Sequence, residues 1–198
     1  MKFDDEHVRE FLHLARAALF AEDTFMKKAF ESPGNPYRAT TPPGVLWLEN
    51  ERYYQFVIAR YLVSFYSSRV ELEWGPELYD LAIIEPATGN GRPVAVVEIK
   101  RWFSSSGEPE LRGMGRDIDK LRKFQNTGLL LVISSNPRGQ CKENASWLEK
   151  RLRERGATQP DDRLLWEEPF ATQGLPRVTD GWSDSEVWVA AVVANAPK

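Results

Sequence analysis

The stretch YDLAIIEPATGNGRPVAVVEIK, residues 79–100, decides how the rest of the chain is read. Two apolar runs, Leu81–Ile84 and Val94–Val97, flank a centre of Thr88, Gly89, Asn90, Gly91 and Arg92. Val and Ile enrichment on both sides of an Asn-Gly pair is the short-range signature of a β-hairpin. Both strands carry charge at the same end. Asp80 opens the first, and Glu98 and Lys100 close the second.

The turn centre sets which residues face each other. Centred on Gly89, the hairpin puts Asp80 opposite Glu98; centred on Asn90, it puts Asp80 opposite Lys100. Side chains alternate between faces along a strand, so Glu98 and Lys100 share a face and Ile99 takes the other. Either of these registers brings Asp80 onto the Glu98 face, and a register slipped by one residue would send it away. Two carboxylates and an ammonium at the end of apolar strands call for a partner. A hard divalent cation, magnesium or manganese, relieves the carboxylate repulsion, with water and phosphate oxygens completing its shell. The ammonium of Lys100 then lies where it can orient a water or meet charge developing on a phosphate.

Asp80 at a strand start, followed by Glu98-Ile99-Lys100 at the end of the next strand, resembles the motif of the PD-(D/E)XK nuclease superfamily. Tyr79 stands where many members have proline. The resemblance implies a restriction-endonuclease-like α/β fold with an αβββαβ core and a mixed sheet flanked by helices. It also implies that Asp80 and Glu98 ligate magnesium or manganese, helped by the Ile99 carbonyl, and that Lys100 positions the attacking water. Members often add an acidic residue from the helix before the first core strand. Glu51 fits that place by helical phase, with Glu49 as the alternative.

Composition bounds the rest. With 198 residues, 42% hydrophobic and 28% charged, the chain reads as one globular domain. One cysteine, Cys141, leaves no intrachain disulfide or cysteine-rich zinc site, and two histidines, His7 and His13, argue against histidine-ligated metals. No apolar run approaches the roughly 20 residues of a membrane span, and the acidic start is unlike a signal peptide, so a cytoplasmic protein is expected. The net charge of −3 conceals an asymmetry. Lys100 to Arg155 carries 13 Lys plus Arg against 7 Asp plus Glu, which suits a phosphate backbone or a pair of solvated helix faces.

In chain order, residues 3–30 predict one long helix or two short ones, and Glu31 to Gly44 a loop, together an N-terminal addition (1–44). The core (45–155) predicts a helix over Val45 to Phe65, a strand over Arg69 to Trp74 and then the hairpin. A loop over Arg101 to Gly115 follows, rich in Ser and Gly, then a helix over Arg116 to Gln125 that starts at Glu110 at the earliest. Leu129 to Ser134 predicts an interior strand and Lys142 to Arg155 another helix. A C-terminal extension (156–198) holds strands at Arg163 to Trp166 and Glu186 to Ala194.

The leading functional expectation is a metal-dependent DNA endonuclease, with DNA favoured over RNA and a homodimer or protein partner left open. Arg116, Lys120 and Lys123 are its candidate phosphate contacts; Trp102 offers either a base-stacking surface or core packing. Two alternatives stand beside it: a catalytically inactive nucleic-acid-binding module, and a protein-interaction module whose three charges form an ion-pair network.

Overall fold

The computed structural model describes residues 3–31, 45, 50–65, 69–84, 91–102, 107–172 and 185–194. The hairpin turn at 85–90, Glu49 and most of the 31–44 loop lie outside the described residues.

Two helices come first, α1 (Asp5–Glu31) and α2 (Glu51–Phe65). Three strands follow, β1 (Arg69–Trp74), β2 (Tyr79–Ile84) and β3 (Pro93–Trp102). Next come α3 (Glu108–Leu121), β4 (Thr127–Pro137) and α4 (Cys141–Glu154), then β5 (Arg163–Trp166), β6 (Phe170–Thr172) and β7 (Ser185–Ala194). The strands form one mixed α/β sheet in the order β1-β2-β3-β4-β7-β5, with β6 also paired to β7. Among the described residues only β3 and β4 run parallel, joined through α3, and the other pairings are antiparallel.

Alternation along the strands builds two apolar layers. Leu81, Ile83, Val97, Ile99, Leu129 and Leu131 meet Phe11, Leu19, Tyr54 and Ile58 of α1 and α2. Ala82, Val96, Leu130 and Val132 meet Leu111, Met114, Ile118 and Leu148 of α3 and α4. Each fully buried Leu, Ile or Val contributes about 1.5–3 kcal/mol, so both faces of the sheet are held by their helices.

Several elements differ from the sequence reading: α2 begins at Glu51, after Asn50, rather than at Val45, and Arg101 and Trp102 belong to β3 rather than to a loop. Helix α3 starts at Glu108, two residues before the earliest expected start at Glu110, and ends at Leu121, four before Gln125. Pro109 occupies the first turn, where its missing N–H costs nothing, and Leu111, Met114, Ile118 and Leu121 form one buried stripe that carries the helix through Gly113 and Gly115. Lys123 therefore lies in the turn after α3. The C-terminal segment is no appendage: β7 is buried at all ten positions and pairs with β4 along its whole length. Finally, β6 is a strand too short to announce itself in sequence.

Candidate functional site

From Leu81 to Ile83 the two strands pair in the register that places Asp80 opposite Glu98, the one expected of a turn centred on Gly89. Leu81 pairs with Val97, Ala82 with Val96 and Ile83 with Ala95, and the line extended by one step sets Asp80 opposite Glu98. A register shift falls between Ile83 and Ile84, away from the charged end. Ile99 is fully buried under α1 and α2, while Glu98 and Lys100 reach the α3 side.

Asp80 is gripped by two donors. The Ile99 backbone N–H donates to Oδ2 at 2.7 Å, and Gln55 Nε2 of α2 donates to Oδ1 at 2.6 Å. Burial raises the Asp80 carboxyl above the usual range, against the Ile99 N–H and the ammoniums of Lys100 and Lys120. Glu98 has a side chain only 6% exposed, and Lys120 Nζ of α3 lies 2.5 Å from its Oε1. Burial still pushes Glu98 up to about 7, with the Lys120 hydrogen bond opposing and the Asp80 charge adding.

Lys100 faces two further carboxylates. Its Nζ is 3.6 Å from Glu51 Oε2 and 3.3 Å from Asp117 Oδ2. Burial alone would lower its pKa, but Asp117, Glu51 and Asp80 outweigh it, so the ammonium is held above its ordinary value. The contact with Asp117 Oδ2 is an ion pair without hydrogen-bond alignment, which leaves that buried oxygen without a directional donor. Asp117 is raised by burial, with Lys100 opposing.

Glu51 opens α2, where Asn50 Oδ1 accepts the Arg52 N–H in the manner of an N-cap. Glu51 Oε1 also accepts the Arg101 N–H at 3.3 Å, tying the helix start to β3. Gln55 follows one turn later on the same face. Between α2 and β2 an open polar cleft of about 510 Å³ is lined by Asn50, Glu51, Arg52, Gln55, Asp80 and Arg101.

The structure thus brings together Glu51, Asp80, Glu98 and Lys100, along with the Ile99 backbone. It places Lys120 inside the cluster rather than on an outer phosphate-facing surface. Lys120 Nζ is shared by Glu98, the Leu78 carbonyl at 3.2 Å and the Tyr79 ring at 4.9 Å. Arg116 and Lys123 are exposed. Trp102 is 4% exposed, stacked on Trp147 at 5.4 Å and edge-on to Trp188, so it packs the core and offers no face to a base. Asp117 and Gln55 are site residues that the sequence reading missed. Asp117 lies three residues before Lys120, and Gln55 four after Glu51, so helical phase was the signal for both.

Four carboxylates (Glu51, Asp80, Glu98, Asp117) meet two ammoniums (Lys100, Lys120), an excess of two negative charges within the cluster when all are ionised. Among the described residues no three acidic, histidine or cysteine side chains converge as metal ligands. The oxygens present, carboxylates and the Ile99 carbonyl, are of the hard type a divalent cation takes, and the buried Asp117 Oδ2 meets only the Lys100 ammonium, at 3.3 Å.

No family model, curated protein or solved structure matches this chain. Among the described residues, no helix is long and apolar enough to cross a membrane.

Proposed function

We propose that the chain is a metal-dependent nuclease of the PD-(D/E)XK type, hydrolysing phosphodiester bonds in DNA. The observation that carries this reading is the hairpin register, which sets Asp80 opposite Glu98 with Lys100 two residues on. The order α2-β1-β2-β3-α3-β4 supports it, being the αβββαβ order of that superfamily's core.

Asp80 and Glu98, with the Ile99 carbonyl, are the residues that would hold magnesium or manganese. The ion would supply the missing positive charge and polarise phosphoryl oxygens. The chain's own groups do the rest. Lys100 stays an ammonium at neutral pH, so it acts as a donor: it orients the attacking water and meets charge developing on the phosphate. Glu51 and Asp117 aim Lys100 from two sides, and Gln55 fixes the rotamer of Asp80. Arg116 and Lys123 neutralise flanking phosphates.

A second reading draws on the pairing of Lys120 with Glu98. In it the cluster is an ion-pair network of purely structural use. Incubating plasmid and single-stranded DNA with the protein in magnesium, and in chelator, separates the two. The nuclease reading expects metal-dependent cleavage that falls about a hundredfold or more in Lys100→Met and Asp80→Asn. Equal and negligible cleavage by folded wild type and variants would favour the structural network.

A further inference from the structure

A second concavity of about 400 Å³ adjoins the site on the far side of Tyr79. Its floor is aromatic. Trp74 lies near-parallel to Tyr79, with centroids 6.4 Å apart, and Phe124 meets both rings edge-on at 6.2 and 5.9 Å. Tyr79 is buried, whereas Trp74 and Phe124 keep part of their surface in the pocket. Two exposed cations, Arg92 and Lys123, stand at its mouth against one carboxylate, Glu77, and the exposed Gln125 amide adds a donor and an acceptor. The wall behind them is fixed by Asn126, whose Nδ2 donates to the Pro93 carbonyl at 2.9 Å.

Flat aromatic surface, an amide edge and a net positive mouth match one ligand chemistry, a heteroaromatic base carrying a phosphate. Stacking serves the base, the amide its edge, and the two cations the phosphate. Within a duplex the base faces are already stacked, so the base that enters must be unpaired.

Tyr79 stands between the pocket and the carboxylate cluster. Tyr79 precedes Asp80 in β2, and Lys120 Nζ lies over the Tyr79 ring while bonded to Glu98. The Tyr79 hydroxyl donates to the Lys120 carbonyl at 3.3 Å, which fixes the ring as the shared wall.

We propose that this pocket binds one unpaired nucleobase of the substrate strand, with Arg92 and Lys123 on its phosphate, so that the neighbouring phosphodiester is presented to Asp80 and Glu98. The proposal names the substrate class of the nuclease reading and rests on it: a strand that is single-stranded next to the cleaved bond.

The test is binding of a short fluorescein-labelled thymidine single strand, read by anisotropy in chelator so that nothing is cleaved. The expected result is tighter binding to the single strand than to the matching duplex. A strand of the same length abasic at every position is expected to bind at least about tenfold more weakly. Arg92→Glu and Lys123→Glu alter exposed charges and spare the aromatic floor; each is expected to weaken binding severalfold and flatten its salt dependence. Trp74→Leu gives the complementary loss, with circular dichroism as the folding control. Binding indifferent to loss of the bases and to both charge reversals overturns the pocket, and metal-dependent cleavage of duplex would leave the nuclease reading standing without it. Pocket-dependent binding with no cleavage in magnesium would instead retain a nucleotide-binding pocket and remove the nuclease.

Discussion

Glu98 places a measurable liability in the core. Its side chain is 6% exposed, and burial drives its pKa from 4.5 to about 7 even with Lys120 beside it. Between these two values the folded protein binds more protons than the unfolded chain. The unfolding free energy therefore falls as pH rises, since its slope follows the difference in bound protons between unfolded and folded states. The contribution is fully present below 4.5 and is lost as pH climbs through about 7. The gap corresponds to about 3 kcal/mol, an upper figure because the folded site relaxes around the charge. Glu98→Gln keeps the shape and removes the titration. Urea denaturation of both proteins from about pH 4.5 to 8.5 is the assay. Near pH 4.5 the two are expected to be about equally stable, and the wild type should fall behind by up to about 3 kcal/mol at the alkaline end. Asp80 and Asp117 are also raised by burial and contribute the same sign, but they are common to both proteins. Parallel stability curves for wild type and Glu98→Gln would refute the reasoning, because they would show Glu98 ionising as freely in the fold as in the open chain.

Three other outcomes are expected. Arg122→Met removes the guanidinium paired to Asp162, whose side chain is 1% exposed and keeps the Gln159 N–H, and should cost about 3 kcal/mol in denaturant unfolding. Gly128→Ala should cost about 1–3 kcal/mol by the same measurement, since a Cβ there would lie 2.8 Å from Leu121 Cβ and 2.9 Å from its carbonyl oxygen. Asp117→Asn removes one of the two carboxylates that aim Lys100. Cleavage is expected to fall roughly 10–100-fold, as for other groups that orient a site residue, with binding of a single strand in chelator unchanged.

The hairpin was legible because its information is local. Strand alternation leaves few registers, and Asp80 faces Glu98 as one of them requires, although a register shift between Ile83 and Ile84, which no local pattern announces, lies between the turn end and that pair. Strand β1 was readable from its alternation and the breaker at Gly75, whereas the four residues of β5 left a fainter signal. Helix α3 began later in the sequence reading than in the structure because Pro109, Gly113 and Gly115 are local breakers. Burial of Leu111 and Met114 against the sheet overrides them, and that energy is tertiary. The interior place of β7 was hidden for the same reason: its partner β4 is distant in sequence, and no local pattern names it.

Within the site, Asp80, Glu98 and Lys100 could be placed by counting along strands, but their partners could not. Whether Lys120 faces phosphate or Glu98 depends on how α3 rotates over the sheet. The Gly75–Leu78 turn supplies a further partner: Leu78 holds a positive φ of 53°, and its carbonyl accepts the Lys120 ammonium. A leucine in the left-handed region is not a sequence signal.

The central claim is that the excess of carboxylates around Asp80 and Glu98 holds a divalent cation. Calorimetric titration of manganese, then magnesium, into wild type and Asp80→Ala measures it most directly. Saturable binding to the wild type at near one ion per chain is expected, and none to Asp80→Ala with its circular dichroism unchanged. No binding to folded wild type, with and without a short DNA duplex to complete the shell, would contradict it and leave the cluster as a structural ion-pair network.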